Sequence, residues 1–115
     1  MASARLAAPL LLACLLAGCA SGGAASGPTE PANTSTVNLP PSYRFDPVSI
    51  QVSAGTTVTW TNNDNFTHSV LVVGGDEVHN MKPGEKTTIT FDKPGTYDYV
   101  CTYHTQNMKG RVVVS

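Results

Sequence analysis

Two patterns of apolar and polar residues divide the chain. From Leu6 to Ala17 apolar residues run almost without a break, interrupted only by Pro9. From Pro41 onward the period becomes two. Val48, Ile50 and Val52 alternate with Ser49, Gln51 and Ser53, and Val58 and Trp60 alternate with Thr57, Thr59 and Thr61. Successive side chains of an extended segment point to opposite faces, so this alternation predicts half-buried strands. Further strands are predicted over His68–Val73, around Thr87, Ile89 and Phe91, over Tyr97, Tyr99 and Cys101, and over Val112–Val114. Ala54-Gly55, Gly74-Gly75-Asp76, Pro83-Gly84 and Pro94-Gly95 punctuate them as turns, and Asn62–Asn65 is a polar loop. Short β-branched strands with regular turn signals predict an all-β protein, a β-sandwich, with no helix of normal length.

The N-terminal run has a different reading. It is too short to span a bilayer, which takes about 20 apolar residues. With Arg5 before it, it fits the apolar stretch of a secretory signal. It ends in Leu16-Ala17-Gly18-Cys19, which resembles the lipobox of bacterial lipoproteins, where a cysteine is lipidated before cleavage. The resemblance implies a signal peptide over 1–18, a lipid anchor on Cys19, and a protein held at a bacterial cell membrane, facing the periplasm or the exterior. Residues 19–40 are rich in Gly, Ala, Ser, Thr, Pro and Asn and are expected to be a flexible linker. The folded domain is then expected over 41–115.

Composition narrows the function. The chain has 115 residues, with 7 Lys and Arg against 8 Asp and Glu and a net charge of −1. That is one small domain with no cationic surplus to neutralise phosphates, so nucleic-acid binding is not expected. Of three cysteines, Cys14 leaves with the signal and Cys19 becomes the anchor, so Cys101 is left alone. A lone thiol in an oxidising compartment needs protection, and a metal bond supplies it.

Cys101, His104 and Met108 form a Cys-x2-His-x3-Met segment between two strands, and His68 opens an earlier strand after the asparagine-rich loop. Two imidazoles, a thiolate and a weak thioether describe a blue-copper electron-transfer site. Thiolate and thioether favour Cu(I), and imidazole serves both oxidation states. Cys101 as an inert buried thiol, His68 as a strand-edge residue and Met108 as core filler are the plainer alternatives. They leave the shared spacing unexplained. His79, beside Met81 in the Gly74–Gly84 connection, reads as a surface residue. Trp60 reads as core and Tyr97 as a tyrosine-corner residue.

From Phe45 to Val114 the sequence resembles the cupredoxins of the plastocyanin, amicyanin and pseudoazurin group. The resemblance rests on Phe45-x-Pro47, Val58-x-Trp60-x-Asn62, Asn65-Phe66-Thr67-His68-Ser69-Val70, Lys82-Pro83-Gly84-Glu85, Phe91-x-x-Pro94-Gly95-Thr96-Tyr97-x-Tyr99-x-Cys101-x-x-His104 and Met108-x-Gly110-x-Val112. It implies a Greek-key β-sandwich with one copper per domain at one end. It also implies His68, Cys101, His104 and Met108 as ligands, and a monomer that exchanges electrons with a redox protein such as a cytochrome or a copper or haem oxidoreductase. Three departures stand out. Three residues separate His104 from Met108, where the group commonly has two or four. Ser69 stands where an Asn often ties the ligand loops, so a Ser69–Thr102 hydrogen bond is expected instead. Val100 stands where plastocyanins carry a tyrosine electron port.

A ligand histidine exposed within an apolar patch is the port the resemblance implies, here His104 with Phe66, Tyr103 and Met108 around it. The competing function is non-catalytic copper storage or delivery, which favours open Met- and His-rich clusters. Catalysis is not expected, because the three histidines at 68, 79 and 104 form no His-x-His motif for further copper centres.

Overall fold

The alternating segments pair into two sheets in the computed structural model, which describes residues 30–115. The signal peptide and the lipidated Cys19 lie outside the described residues. Among those described, nine strands and no helix form: β1 (Ala32–Asn33), β2 (Thr36–Leu39), β3 (Ser49–Val52), β4 (Thr56–Asn62), β5 (His68–Val72), β6 (His79–Met81), β7 (Lys86–Phe91), β8 (Gly95–Val100) and β9 (Lys109–Val114). One sheet has the order β1-β3-β9-β8-β5-β6 and the other β2-β4-β7. Pairs β1/β3, β3/β9 and β2/β4 are parallel, and the remaining pairs are antiparallel.

Alternation decides which side chains meet between the sheets. Val37, Leu39, Val58, Trp60 and Phe91 come from the smaller sheet, and Ile50, Val70, Tyr99, Val112 and Val114 from the larger. Trp60 meets Tyr99 across the interface edge to face, with ring centroids 5.3 Å apart. Thr57, Thr59 and Thr61 of β4 and Thr88 and Thr90 of β7 take the other face, where Thr57 and Thr90 share a 2.8 Å hydroxyl hydrogen bond. Tyr97 donates its hydroxyl to the carbonyl of Lys93 at 2.8 Å, which makes the tyrosine corner. At Lys82–Glu85 the amide of Glu85 bonds the carbonyl of Lys82 at 2.9 Å, and Gly84 has φ 87°. That is a type II turn, with Pro83 and Gly84 in the positions it demands.

The boundary expected at 41 is corrected. The flexible linker was expected to run to residue 40, yet β2 pairs with β4 from Thr36 to Leu39, and Val37 and Leu39 are wholly buried. The stretch is polar on average, but Val37 and Leu39 stand two apart and supply one apolar face. The structured part therefore includes residues from Ala32 onward. The polar Gly74–Gly84 connection is also more ordered than its composition implies, because β6 pairs with β5 and buries Met81 completely.

Candidate metal centre

Strand ends place the donor side chains. His68 is the first residue of β5, Cys101 directly follows β8, and Met108 directly precedes β9. Because β5 and β8 are antiparallel neighbours, the start of one lies beside the end of the other. His68 Nδ1 and Cys101 Sγ consequently stand 3.7 Å apart, both fully buried. The 101–108 loop is folded by its own backbone. His104 N–H bonds the Cys101 carbonyl at 3.1 Å, Met108 N–H bonds the His104 carbonyl at 2.9 Å, and Cys101 N–H bonds the Met108 carbonyl at 3.0 Å. The three-residue gap between His104 and Met108 is thus spanned by one i→i+4 turn. His104 lies beside His68, with ring centroids 5.7 Å apart, and Met108 is fully buried.

The pocket is tied on two sides. Ser69 and Thr102 share a 2.7 Å hydroxyl hydrogen bond, and Thr102 N–H donates to Ser69 Oγ at 2.8 Å. The tie expected between the loops is therefore present. Ser69 N–H points at Cys101 Sγ from 3.4 Å. On the far side of His68, Nε2 lies 2.8 Å from Asp64 Oδ2. The hydrogen bond from His68 holds the Asp64 carboxyl below the usual carboxylate range, against an opposing effect of burial. Asn62 stitches the loop underneath. Its Nδ2 donates to the carbonyls of Phe66 and Met81 at 2.8 and 2.9 Å, and its Oδ1 accepts from Asp64 N–H at 2.9 Å.

Asp64 was not singled out by sequence reading, which saw only a polar loop, and Asn62 entered only within the Val58-x-Trp60-x-Asn62 motif, with no role of its own. The available signal was an aspartate four residues before His68. Tyr43 was missed as well. Its ring packs edge-on against His104 at 4.4 Å and stacks with Phe66 at 5.9 Å. Ser42 and Tyr43 take φ of 92° and 56° to make that approach, a backbone region non-glycine residues seldom occupy. The surface patch needs one correction. Phe66 and Tyr103 are exposed as expected, but Met108 is buried, and Tyr43 takes its place at the surface. His79 bonds Thr87 Oγ1 through Nδ1 at 3.2 Å.

The donors suit a soft metal ion. Bonds of about 2.0 Å to nitrogen and 2.3 Å to sulfur, at a trigonal angle, separate the two donors by about 3.7 Å. The Nδ1–Sγ distance of 3.7 Å matches that span. Counting only His, Cys, Asp and Glu, no group of three or more among the described residues is arranged to hold a metal ion.

Comparison with known proteins places this arrangement. A family profile described as a cupredoxin-like domain matches residues 8–114. The chain belongs to the cupredoxin family. Amicyanin-alpha of Methylorubrum extorquens is 34% identical over 90 residues, which span 73% of this chain and 74% of that protein. Plastocyanin of Scenedesmus fuscus is 38% identical over 84 residues, covering 61% of this chain and 85% of the relative. The solved structure of a reduced amicyanin variant superposes with a TM-score of 0.63 at 35% identity, covering 70% of this chain and 80% of that one. A purple cupredoxin from Nitrosopumilus maritimus matches with the same TM-score at 24% identity, covering 70% of this chain and 98% of that one, and shares the fold. The all-β cupredoxin fold and the pairing of β5 with β8 account for the place of His68 and Cys101.

Proposed function

We propose that this cupredoxin is a type 1 copper protein that carries single electrons between redox proteins outside the cytoplasm. The observation that carries the reading is the buried His68 Nδ1 to Cys101 Sγ approach of 3.7 Å, with His104 and Met108 on the same loop. His68, Cys101, His104 and Met108 would hold one copper, which supplies the one-electron Cu(II)/Cu(I) couple. Cys101 gives the thiolate and Met108 the weak axial thioether. The hydrogen bonds that fold the 101–108 loop hold the donors in one arrangement, which favours fast transfer with little rearrangement. Full burial of His68, Cys101 and Met108 favours a resident metal over one handed on, so delivery is the weaker reading.

Electrons pass most readily through His104. Its ring lies under Tyr43, with Phe66 and Tyr103 exposed nearby, and no Asp, Glu, Lys or Arg stands between Cys101 and Met108. An uncharged aromatic patch desolvates cheaply and suits a small, short-lived interface with another redox protein. Cys19, lipidated at the end of the signal peptide, would tether the domain to a bacterial membrane. Stable attachment takes two or more acyl chains there.

The test is a Cu(II) titration of the domain followed by absorption spectroscopy. One equivalent should give an intense thiolate-to-copper band, and Cys101→Ser should abolish it. A colourless wild-type protein, or an intensely coloured Cys101→Ser variant, refutes the assignment.

A further inference from the structure

Asp64 is a buried carboxylate whose two oxygens are both engaged. Oδ2 lies 2.8 Å from His68 Nε2, and Oδ1 accepts the Asn65 amide at 2.7 Å. Its own amide is held by Asn62 Oδ1 at 2.9 Å. Asn62 is anchored in turn to the carbonyls of Phe66 and Met81, so the carboxylate is fixed to both the loop and β6. An ionised carboxylate only accepts hydrogen bonds. The proton between Asp64 and His68 therefore sits on Nε2. The lone pair of the ring is left on Nδ1, the atom that faces Cys101 Sγ at 3.7 Å.

We propose that Asp64 is a positioning residue for the copper site: it fixes His68 in the Nε2–H tautomer and orientation, and its negative charge lowers the reduction potential. The inference rests on the type 1 copper reading. Carboxylate acceptance from a ligand imidazole raises that ligand's basicity. A fixed negative charge next to the ligand ring favours the more positive Cu(II) over Cu(I), which shifts the couple downward. The charge is retained because His68 Nε2–H and the Asn65 amide both donate to the carboxylate, which outweighs the opposing effect of burial.

Two variants separate the charge from the hydrogen bond. In Asp64→Asn the amide oxygen still accepts from Nε2–H, but the charge is gone. Asp64→Ala removes both. The first readout needs no metal: ¹⁵N-labelled metal-free protein, with long-range nitrogen–proton correlations of the His68 ring. Wild type and Asp64→Asn should show a protonated Nε2 and a bare Nδ1, and Asp64→Ala should populate the Nδ1–H tautomer. The second readout is voltammetry of the copper-loaded forms. Removing a partner of a ligand histidine costs about 10–100-fold in metal affinity. A loss of tenfold in Cu(II) over Cu(I) preference corresponds to a rise of about 59 mV for a one-electron couple. Asp64→Ala, which loses the partner, should show that rise, and Asp64→Asn, which loses only the charge, should raise the potential by less. A wild-type Nδ1–H tautomer, or a potential unchanged in Asp64→Asn, overturns the proposal. Failure of the wild-type protein to form an intensely coloured copper complex instead overturns the copper reading, and the metal-free ring spectrum still decides whether Asp64 sets the tautomer.

Discussion

Gly110→Ala should be among the most damaging single-methyl additions in this domain. Gly110 sits opposite Tyr99 in the antiparallel β8/β9 pair. A Cβ built there would stand 2.7 Å from Tyr99 Cε2 and nearer still to Cζ and Oη. The ring has nowhere to go, because Phe45 and Trp60 meet it edge to face at 4.8 and 5.3 Å and Tyr99 is 1% exposed. Overpacking a full core costs about 1–3 kcal/mol, and a rigid ring that cannot swing aside places this site near 3. Alanine restricts the unfolded chain more than glycine and returns about 0.5–1 kcal/mol. The net loss is about 2 kcal/mol, or a Tm lower by roughly 8–16 °C in a domain of this size. Thermal unfolding of the metal-free protein by circular dichroism measures it. Tyr99→Leu should relieve the clash, so the double variant should lose less stability than the two single losses added. A Gly110→Ala protein within about 0.5 kcal/mol of wild type, or strictly additive losses, would show that the ring does not confine this position.

Two further outcomes follow from buried polar groups. Ser69→Ala leaves the Thr102 amide without the 2.8 Å bond it makes to Ser69 Oγ, which should cost about 1–3 kcal/mol in a denaturant titration; unchanged hydrogen-exchange protection at Thr102 would count against the tie. Burial pushes the Tyr99 hydroxyl up from 10.0 to about 12, so the neutral phenol is the form the fold prefers. The stability it contributes is fully present below pH 10 and is lost as pH rises towards 12, a loss of about 3 kcal/mol. Tyr99→Phe should flatten that alkaline loss, and an equally steep alkaline transition in Tyr99→Phe would assign it to another group.

Much of this was legible from sequence where contacts are local. The Cys101–Met108 segment declares itself because three donors share one short loop, and the strands declare themselves because alternation needs only near neighbours. β2 was not legible for the opposite reason. Val37 and Leu39 are buried by parallel pairing with β4, and Val37 stands opposite Trp60, a partner far along the chain. β6 has three residues, too few for alternation to register, although Met81 is buried as deeply as Trp60. Asp64 was hidden by its company: among Asn62, Asn63 and Asn65 it read as one more loop residue, and only the fold of that loop turns it toward His68. Tyr43 depends on tertiary structure altogether, because two residues with positive φ carry its ring onto His104.

The hydrogen bonds around the site also explain why the unusual Cys-x2-His-x3-Met spacing is compatible with this scaffold. A loop that closes between β8 and β9 must bring Cys101 back to Met108, and it does so through the Cys101 N–H to Met108 carbonyl bond of 3.0 Å. Inside that closure, the His104 amide caps the Cys101 carbonyl at 3.1 Å and the Met108 amide caps the His104 carbonyl at 2.9 Å. A gap of three is the length at which the second of these becomes an i→i+4 bond, the repeat of one helical turn. One residue fewer or more would remove that bond, yet the His104 carbonyl also accepts from the Asn107 amide at 3.0 Å, so an i→i+3 bond of that kind can still satisfy it. The rest of the frame does not depend on the loop's length: Ser69 binds Thr102 from β5, and Asp64 binds His68 from the opposite side. Loop length is therefore free to vary at the cost of one hydrogen bond, whereas the His68 to Cys101 approach is fixed by the β5/β8 pair and cannot shift without breaking a sheet.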